Sequence, residues 1–352
     1  MCVDDLLKGR GAQSQVSNDF ISHSLVQEHS EGVDEELLIE RPKTEIFYET
    51  PSKIVNKVPS PDVGMEYSLN PYQGCEHGCI YCYARKTHEF WGFNLGLDFE
   101  TKIVVKKNAP QLLEKKLLEK SWKPKPIILS GNTDCYQPLE RKLGITRKLL
   151  EVFAKYRHPV GIITKNSLVL RDLDILKDLA SENLALVIVS VTSLDDKLRN
   201  ILEPRTASVK NKLKAIEQLS MAGVPVRVMN APIIPGINHH EIPQVLKTVS
   251  EFGAQDVGYT AVRLNGKIAD IFEGWLEKHF PDRAQKVLNQ IKSMHDGHLN
   301  DSEFGRRMKG DGNIAEMINR LFVVSKARYF TDKPRHSWNL TAFRRGGNLT
   351  LF

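Results

Sequence analysis

Three cysteines fall within eight positions of this chain. Cys75, Cys79 and Cys82 are spaced C-x3-C-x2-C in "NPYQGCEHGCIYCYARKTHEF", residues 70–90. The full chain has 352 residues and only five cysteines, so the crowding needs a chemical reason. Three buried core thiols are the plainest alternative, since cysteine packs well as a small hydrophobe. Gly74, Gly78 and Pro71 argue against that, because a glycine-rich loop wraps closely around something instead of presenting a packing stripe. A structural zinc ion wants four ligands in closely spaced pairs. Here the first spacing is three, and Cys135, at the end of another strand, is the candidate fourth ligand. An iron–sulfur cubane is usually held by four cysteine thiolates. Three thiolates leave one iron with an open position, where a substrate or cofactor can bind directly.

Such a loop needs a frame. Short apolar runs alternate with amphipathic segments from residue 67 onward. Six runs read as strands, with Ser68, Ile128, Ile162, Val189, Val228 and Tyr259 at their middles. Segments such as "NAPQLLEKKLLEKSW", with Leu112, Leu113, Leu117 and Leu118 at helical spacing, read as the intervening helices. "TKIVVK" is a further short strand candidate outside the six. Apolar strands alternating with helices predict a parallel sheet covered by helices. No G-x-G-x-x-G follows the first strand, so a dinucleotide sheet has little support. The fold class expected is α/β: a partial (β/α)6 TIM-like barrel over residues 67–267. Working residues of barrels sit at the carboxyl ends of strands. The cysteine loop ends strand one and "SGNTDC" ends strand two, which fits.

Residues 1–66 read as an N-terminal extension, ordered from about residue 37 and disordered before it. Residues 268–352 break the alternation and read as a C-terminal helical extension, with Ile314, Met317, Ile318, Leu321 and Phe322 forming one stripe. The first 66 residues hold 6 basic and 13 acidic residues, and the remainder holds 43 basic and 30 acidic. A basic body behind an acidic lead-in can attract a polyanion, and it can equally be solvated surface. No apolar stretch approaches a membrane helix or a secretory signal, so a cytoplasmic location and no membrane partner are expected. The cysteine usage is no disulfide framework. A monomer is the expected state.

With Tyr81 before the last cysteine, the loop matches C-x3-C-x-aromatic-C. It resembles the hallmark of the radical S-adenosylmethionine (SAM) superfamily. "NPYQGCEHGCIYCYAR" together with "NTDCYQPLE" further resembles the spore photoproduct lyase-related, or DNA repair photolyase-like, proteins, over residues 60–345. That resemblance implies a [4Fe-4S] cluster on Cys75, Cys79 and Cys82 and bound S-adenosyl-L-methionine. It implies reductive cleavage of SAM to a 5'-deoxyadenosyl radical, which abstracts hydrogen from a substrate. An external one-electron reductant such as flavodoxin or ferredoxin is then the partner.

The resemblance also assigns residues. Tyr81 lies beside the adenine, and Ser130, Gly131, Asn132, Thr133 and Asp134 take the place of a Gly-Gly-Glu-like segment that receives the methionine amino group. Asn132 and Asp134 could instead only shape the turn. Ser190, Glu203 and Arg205 are expected near the cofactor, with Arg205 gripping a carboxylate or pairing with Glu203, and Asn230 is expected to border the adenosine. Cys135 is the candidate hydrogen-atom donor and Tyr136 its candidate relay. A nucleic acid base is one expected substrate, served by "GRRMKG" and by Tyr329, Trp338 and Phe343 as stacking platforms. A peptide or small metabolite is the second reading. A non-catalytic iron–sulfur or zinc protein that binds nucleic acid is the third.

Overall fold

Short aliphatic runs bounded by turn residues set the frame. In the structure, a computed structural model that describes residues 9–12 and 43–346, they form ten strands among the described residues. These are β1 (Glu45–Glu49), β2 (Val55–Lys57), β3 (Tyr67–Leu69), β4 (Tyr72–Gln73), β5 (Lys102–Lys106), β6 (Ile127–Leu129), β7 (Val160–Thr164), β8 (Ala185–Ser190), β9 (Val226–Ile233) and β10 (Asp256–Ala261). The main sheet runs β10-β9-β8-β7-β6-β3-β2. From β3 to β10 all neighbours are parallel and follow chain order, and β2 adds an antiparallel edge. This is the six-unit open barrel expected from the alternation. "TKIVVK" does form a strand, but in a separate sheet ordered β1-β5-β4.

Alternation along each strand sorts the two faces. Ala185, Val187 and Val189 of β8 are buried in the main core with Val226 and Val228 of β9. Leu149, Leu150 and Phe153 from the helix Ile145–Lys155 complete that core and are fully buried. Burying each such side chain is worth roughly 1.5–3 kcal/mol relative to exposure. Leu186 and Ile188 point the other way, into the concave face. In the helix Ala109–Leu118, Leu113 and Leu117 are buried, whereas Leu118 stays exposed.

Three long helices follow the barrel: Ile268–His279, Ala284–Met294 and Gly312–Phe330. The last closes on β10, where Tyr259 meets Phe322 with ring centroids 4.5 Å apart and donates to Asn319 Oδ1 at 3.1 Å. Tyr259 therefore faces the helices, not the interior. The first is tied back by Trp275 Nε1, which donates to the Ile201 carbonyl at 3.0 Å.

The N-terminal segment departs from expectation. Arg10, Gly11 and Ala12 are buried, far upstream of residue 37 where order was expected to begin. Residues 43–66 carry β1 and β2, and the rest of that expectation falls on residues outside the described ones. No helix among the described residues is long and apolar enough to cross a membrane.

Candidate cluster and cofactor site

The cysteine loop leaves the carboxyl end of β3 through the short β4. Its turn relies on Gly78, whose φ of +67° lies in the left-handed region. Cys75 and Cys79 are buried and Cys82 is half-buried. The Cys75 amide donates to the Phe99 carbonyl at 2.8 Å, and the Cys82 amide to the Cys79 carbonyl at 3.3 Å. Arg85, one turn into the helix Tyr83–Trp91, is fully buried and spends all five donors. Its Nε and one terminal nitrogen hold the Cys79 carbonyl at 3.1 and 2.9 Å. The other terminal nitrogen holds the Leu95 and Gly96 carbonyls, and the fifth bond goes to Glu100 at 2.5 Å.

A second anchor comes from the loop after β6. Gln137 accepts the Glu76 amide at 2.9 Å and donates to the Gly74 carbonyl at 3.2 Å. The loop from Ser130 to Asp134 is stitched to the same place. Ser130 adopts φ +70°, a strained conformation for a residue with a side chain, and its Oγ accepts the Cys135 amide at 2.7 Å. The Gly131 carbonyl accepts from the Tyr83 hydroxyl at 2.7 Å. Asn132 bonds Asn70 through its amide and Gln73 and Thr87 through its side chain. Thr133 Oγ1 donates to the Tyr72 carbonyl at 2.6 Å. Asp134 accepts from the Lys165 amide at 2.7 Å, the Tyr136 amide at 2.8 Å and Thr164 Oγ1 at 2.9 Å. All five residues thus lie at the cysteine loop. The polar groups of Asn132 and Asp134 already shape the turn, as the alternative reading had it.

Tyr81, Ser190, Glu203 and Arg205 also converge here. Ser190 ends β8 on the concave parity of Leu186 and Ile188 and is buried. The Tyr81 hydroxyl donates to Glu203 and lies 3.4 Å from Thr192 Oγ1. Glu203 is fully buried between Lys165 at 3.2 Å and Lys212 at 2.8 Å. Burial alone would raise its pKa, but the two ammonium groups outweigh it and hold the carboxyl well below its usual range. Arg205 does not pair with Glu203. It reaches Glu76 at 3.3 Å, because Lys165 and Lys212 already occupy Glu203.

Asn230, Cys135, Tyr136 and Phe343 are tied to neighbours of their own. Asn230 shares the parity of Val226 and Val228, so it is buried on the helix side and donates to the Val191 carbonyl at 2.8 Å. Cys135 is fully buried beside Tyr72 and Tyr136, its thiol bonds Ser130 and Thr146, and burial raises its thiol pKa well above the usual value. It does not open to solvent. Tyr136 is equally enclosed, and its hydroxyl donates to Asp172 at 3.0 Å. Both belong to the main core cluster. Phe343 likewise packs edge-on against buried His158, with centroids 5.5 Å apart, and offers no stacking platform.

The residues present fit a cluster with one open corner. Burial raises the thiols of Cys79 and Cys82, the latter to about 11, so a bound cation is what makes thiolates of them. Among the described residues, no three His, Cys, Asp or Glu side chains converge as a single-ion shell requires. Thiolates that each bind a separate iron of a cubane need not converge. Among the described residues, His77 bonds the Cys75 thiol but is already engaged by two other partners. It sits with Nδ1 3.4 Å from Asp134 and Nε2 3.3 Å from Asn166, and Cys135 is fully buried.

Towards the amino-terminal ends of the strands, the concave face borders a cavity of 1210 Å³ whose lining includes no residue of the cysteine loop. Ile128, Ile163, Leu186, Ile188 and Met229 form its wall. Arg227, Lys309, Lys326, Lys333 and Arg335 border it together with Asp62, Glu66 and Asp256, Arg227 and Lys326 both pairing with Asp256, and His336 and Trp338 reach in from the C-terminal tail.

An open parallel barrel with a three-cysteine loop at its first strand defines a class. Residues 69–249 match the radical SAM superfamily, and the chain belongs to it. The chain is therefore a radical SAM enzyme, of a superfamily that uses a [4Fe-4S] cluster and SAM. An uncharacterised protein of Mycobacterium tuberculosis is 33% identical over 235 residues, covering 66% of this chain and 69% of that protein. One from Methanocaldococcus jannaschii is 29% identical over 249 residues, covering 70% and 88%. In three dimensions the chain is similar to a cysteine-to-serine mutant of spore photoproduct lyase, with TM-score 0.62, 16% identity and 88% of each chain covered. A second spore photoproduct lyase structure, with bound AdoMet and dinucleoside spore photoproduct, gives TM-score 0.60 at 16% identity, covering 84% and 82%. At such identity the likeness carries the fold.

Sequence reasoning passed over Arg85, Glu100, Gln137, Lys165 and Lys212. Arg85 and Gln137 stand inside the quoted motifs "CYAR" and "CYQPLE", so their position beside functional residues was a usable signal. The two lysines had none, since a lysine in the turn after a strand, as Lys165 is, or on a helix, as Lys212 is, usually faces water.

Proposed function

We propose that Cys75, Cys79 and Cys82 hold the cluster and that the enzyme acts on a base of a nucleic acid. When bound, the cluster and SAM supply reductive cleavage and a hydrogen-abstracting 5'-deoxyadenosyl radical. The chain's residues hold and shield. Arg85 and Gln137 fix the cysteine loop through backbone carbonyls and an amide, so that its thiols stay aimed. Tyr81, locked by Glu203, offers its ring as a wall for the adenine. Ser190 is the concave polar group nearest in register for a cofactor contact. Electrons come from a one-electron carrier of the flavodoxin or ferredoxin kind.

The cationic rim of the concave cavity is the observation that carries the substrate class. Five lysines and arginines against three carboxylates leave a cationic excess around an apolar wall, with Lys309, Lys333 and Arg335 not paired to Asp256, and that excess suits a base in the cavity and phosphates at its edge. A bound dinucleoside in a protein of similar fold supports the same reading. The anaerobically reconstituted protein should release 5'-deoxyadenosine from SAM on reduction. Release should rise when single-stranded DNA or RNA is added. Stimulation by peptides or metabolites and by no nucleic acid would replace this substrate class with the other one.

A further inference from the structure

The cysteine loop leans on a piece of chain more than sixty residues upstream. Gly11 is packed so tightly that a Cβ there would sit 1.8 Å from the Gly78 carbonyl oxygen, inside any permitted contact. Its amide donates to Glu100 Oε2 at 3.0 Å, and the Ala12 amide to Glu100 Oε1 at 2.7 Å. Arg10 reaches the Glu100 carbonyl at 2.7 Å through one guanidinium nitrogen. Glu100 is fully buried, and its remaining charged partner is Arg85, which grips the Cys79 carbonyl. Ala12 is fully buried in one apolar cluster with Cys79, Ile80 and Tyr81.

A buried carboxylate is stable only when its lone pairs are satisfied. Two of the donors that satisfy Glu100 come from the backbone of Gly11 and Ala12. A side chain elsewhere could mimic a charge, but only a glycine lets the backbone approach Gly78 this closely.

From this we infer that Arg10–Gly11–Ala12 is a strap that positions the cluster-binding loop, acting through Glu100 and Arg85 on Cys79. Gly11 is a positioning residue, not a catalytic one. The inference rests on the proposed cluster ligands, but the strap itself can be read without the cluster.

The test uses the full chain with Gly11→Val, with Arg10→Gln as a milder variant. Gly274→Ala is the control, since a Cβ there meets nothing within 4 Å. Amide hydrogen exchange on iron-free protein should show Gly78–Cys82 losing protection at least tenfold in Gly11→Val, while the main sheet keeps its own. After anaerobic reconstitution, both strap variants should lose iron to a chelator several-fold faster than the parent and Gly274→Ala. If Gly11→Val does not fold, Arg10→Gln decides by the same two readouts. Parental exchange at Gly78–Cys82 with parental iron retention would overturn the strap. A parent protein that takes up no iron would overturn the cluster proposal, and the exchange measurement would still decide the strap.

Discussion

The phenol of Tyr81 donates its hydrogen bond to Glu203 across 122 positions of chain. A residue between two proposed cluster ligands is thereby fixed to the segment beyond β8. The Ile80 amide, which donates to the Leu202 carbonyl at 3.0 Å, makes a parallel tie. Several measurable consequences stem from how this loop and its neighbours are held.

Glu203 keeps two buried lysines charged in company. Replacing it by glutamine leaves Lys165 and Lys212 without a carboxylate in a dry site. Breaking a buried pair in this way costs about 3–5 kcal/mol. Glu203→Gln should lose that much in denaturant unfolding. Adding Lys212→Met should recover part of it, because Lys212 is then no longer a buried uncompensated charge. An additive double mutant would contradict the coupling.

The three loop cysteines and Cys135 should separate cleanly. Alanine at Cys75, Cys79 or Cys82 should abolish iron retention, the visible absorbance of the cluster and SAM cleavage. Cys135→Ala should keep all three within about twofold, because the thiol is fully buried and meets the loop after β6 only through Ser130. Loss of turnover in Cys135→Ala with the cluster and stability intact would restore it as a hydrogen-atom donor.

Acid should weaken the fold through buried histidine. Trp122 Nε1 donates to His158 Nε2 at 3.1 Å, so that nitrogen carries no proton. Burial depresses the ring to about 4, against the raising effect of the Pro159 carbonyl. The unfolded chain binds its proton near pH 6.5, while the folded one resists until about 4. Stability contributed by neutral His158 is therefore complete above pH 6.5 and is lost as pH falls towards 4, by roughly 2 kcal/mol at pH 5. His88, also depressed to about 4 by burial, adds a loss of the same sign. Denaturant unfolding at pH 7.5 and pH 5 should show His158→Gln with a shallower pH dependence than the parent.

Binding of nucleic acid should report the cavity rim. Affinity for single-stranded DNA should fall linearly with log salt. Removing Lys309 or Arg335 should reduce that slope by about 1 each. Unchanged slopes in both variants would place the polyanion elsewhere.

Much of this architecture was legible in the residues. All six barrel strands follow from apolar runs such as "LALVIVSV", because a strand buried on both faces needs little else to declare itself. The cysteine spacing and the strand ends were legible for the same reason: each is local. What was not legible was long-range or depended on parity. Asn230 stands at a strand exit, yet one residue of register sends it to the helix side. Cys135 follows a functional-looking turn, but its burial draws on Tyr72 and Thr146, brought in from other elements. Glu203 meets Lys165 and Lys212 only once three strand–helix units have stacked. The part played by Gly11 was invisible because nothing in "GRGAQ" states which backbone it will meet.

Trp338 comes within 3.7 Å of where a Cβ on Gly161 would stand, over the middle of the sheet's hollow side. That indole acts as a floor. It fills space in the same cavity that Ile128, Ile163 and Ile188 line, and it lies fourteen places from the chain's last residue. Trimming the indole would deepen the well without touching any group near the thiols, so the size of molecule admitted and the chemistry done on it can drift apart in evolution.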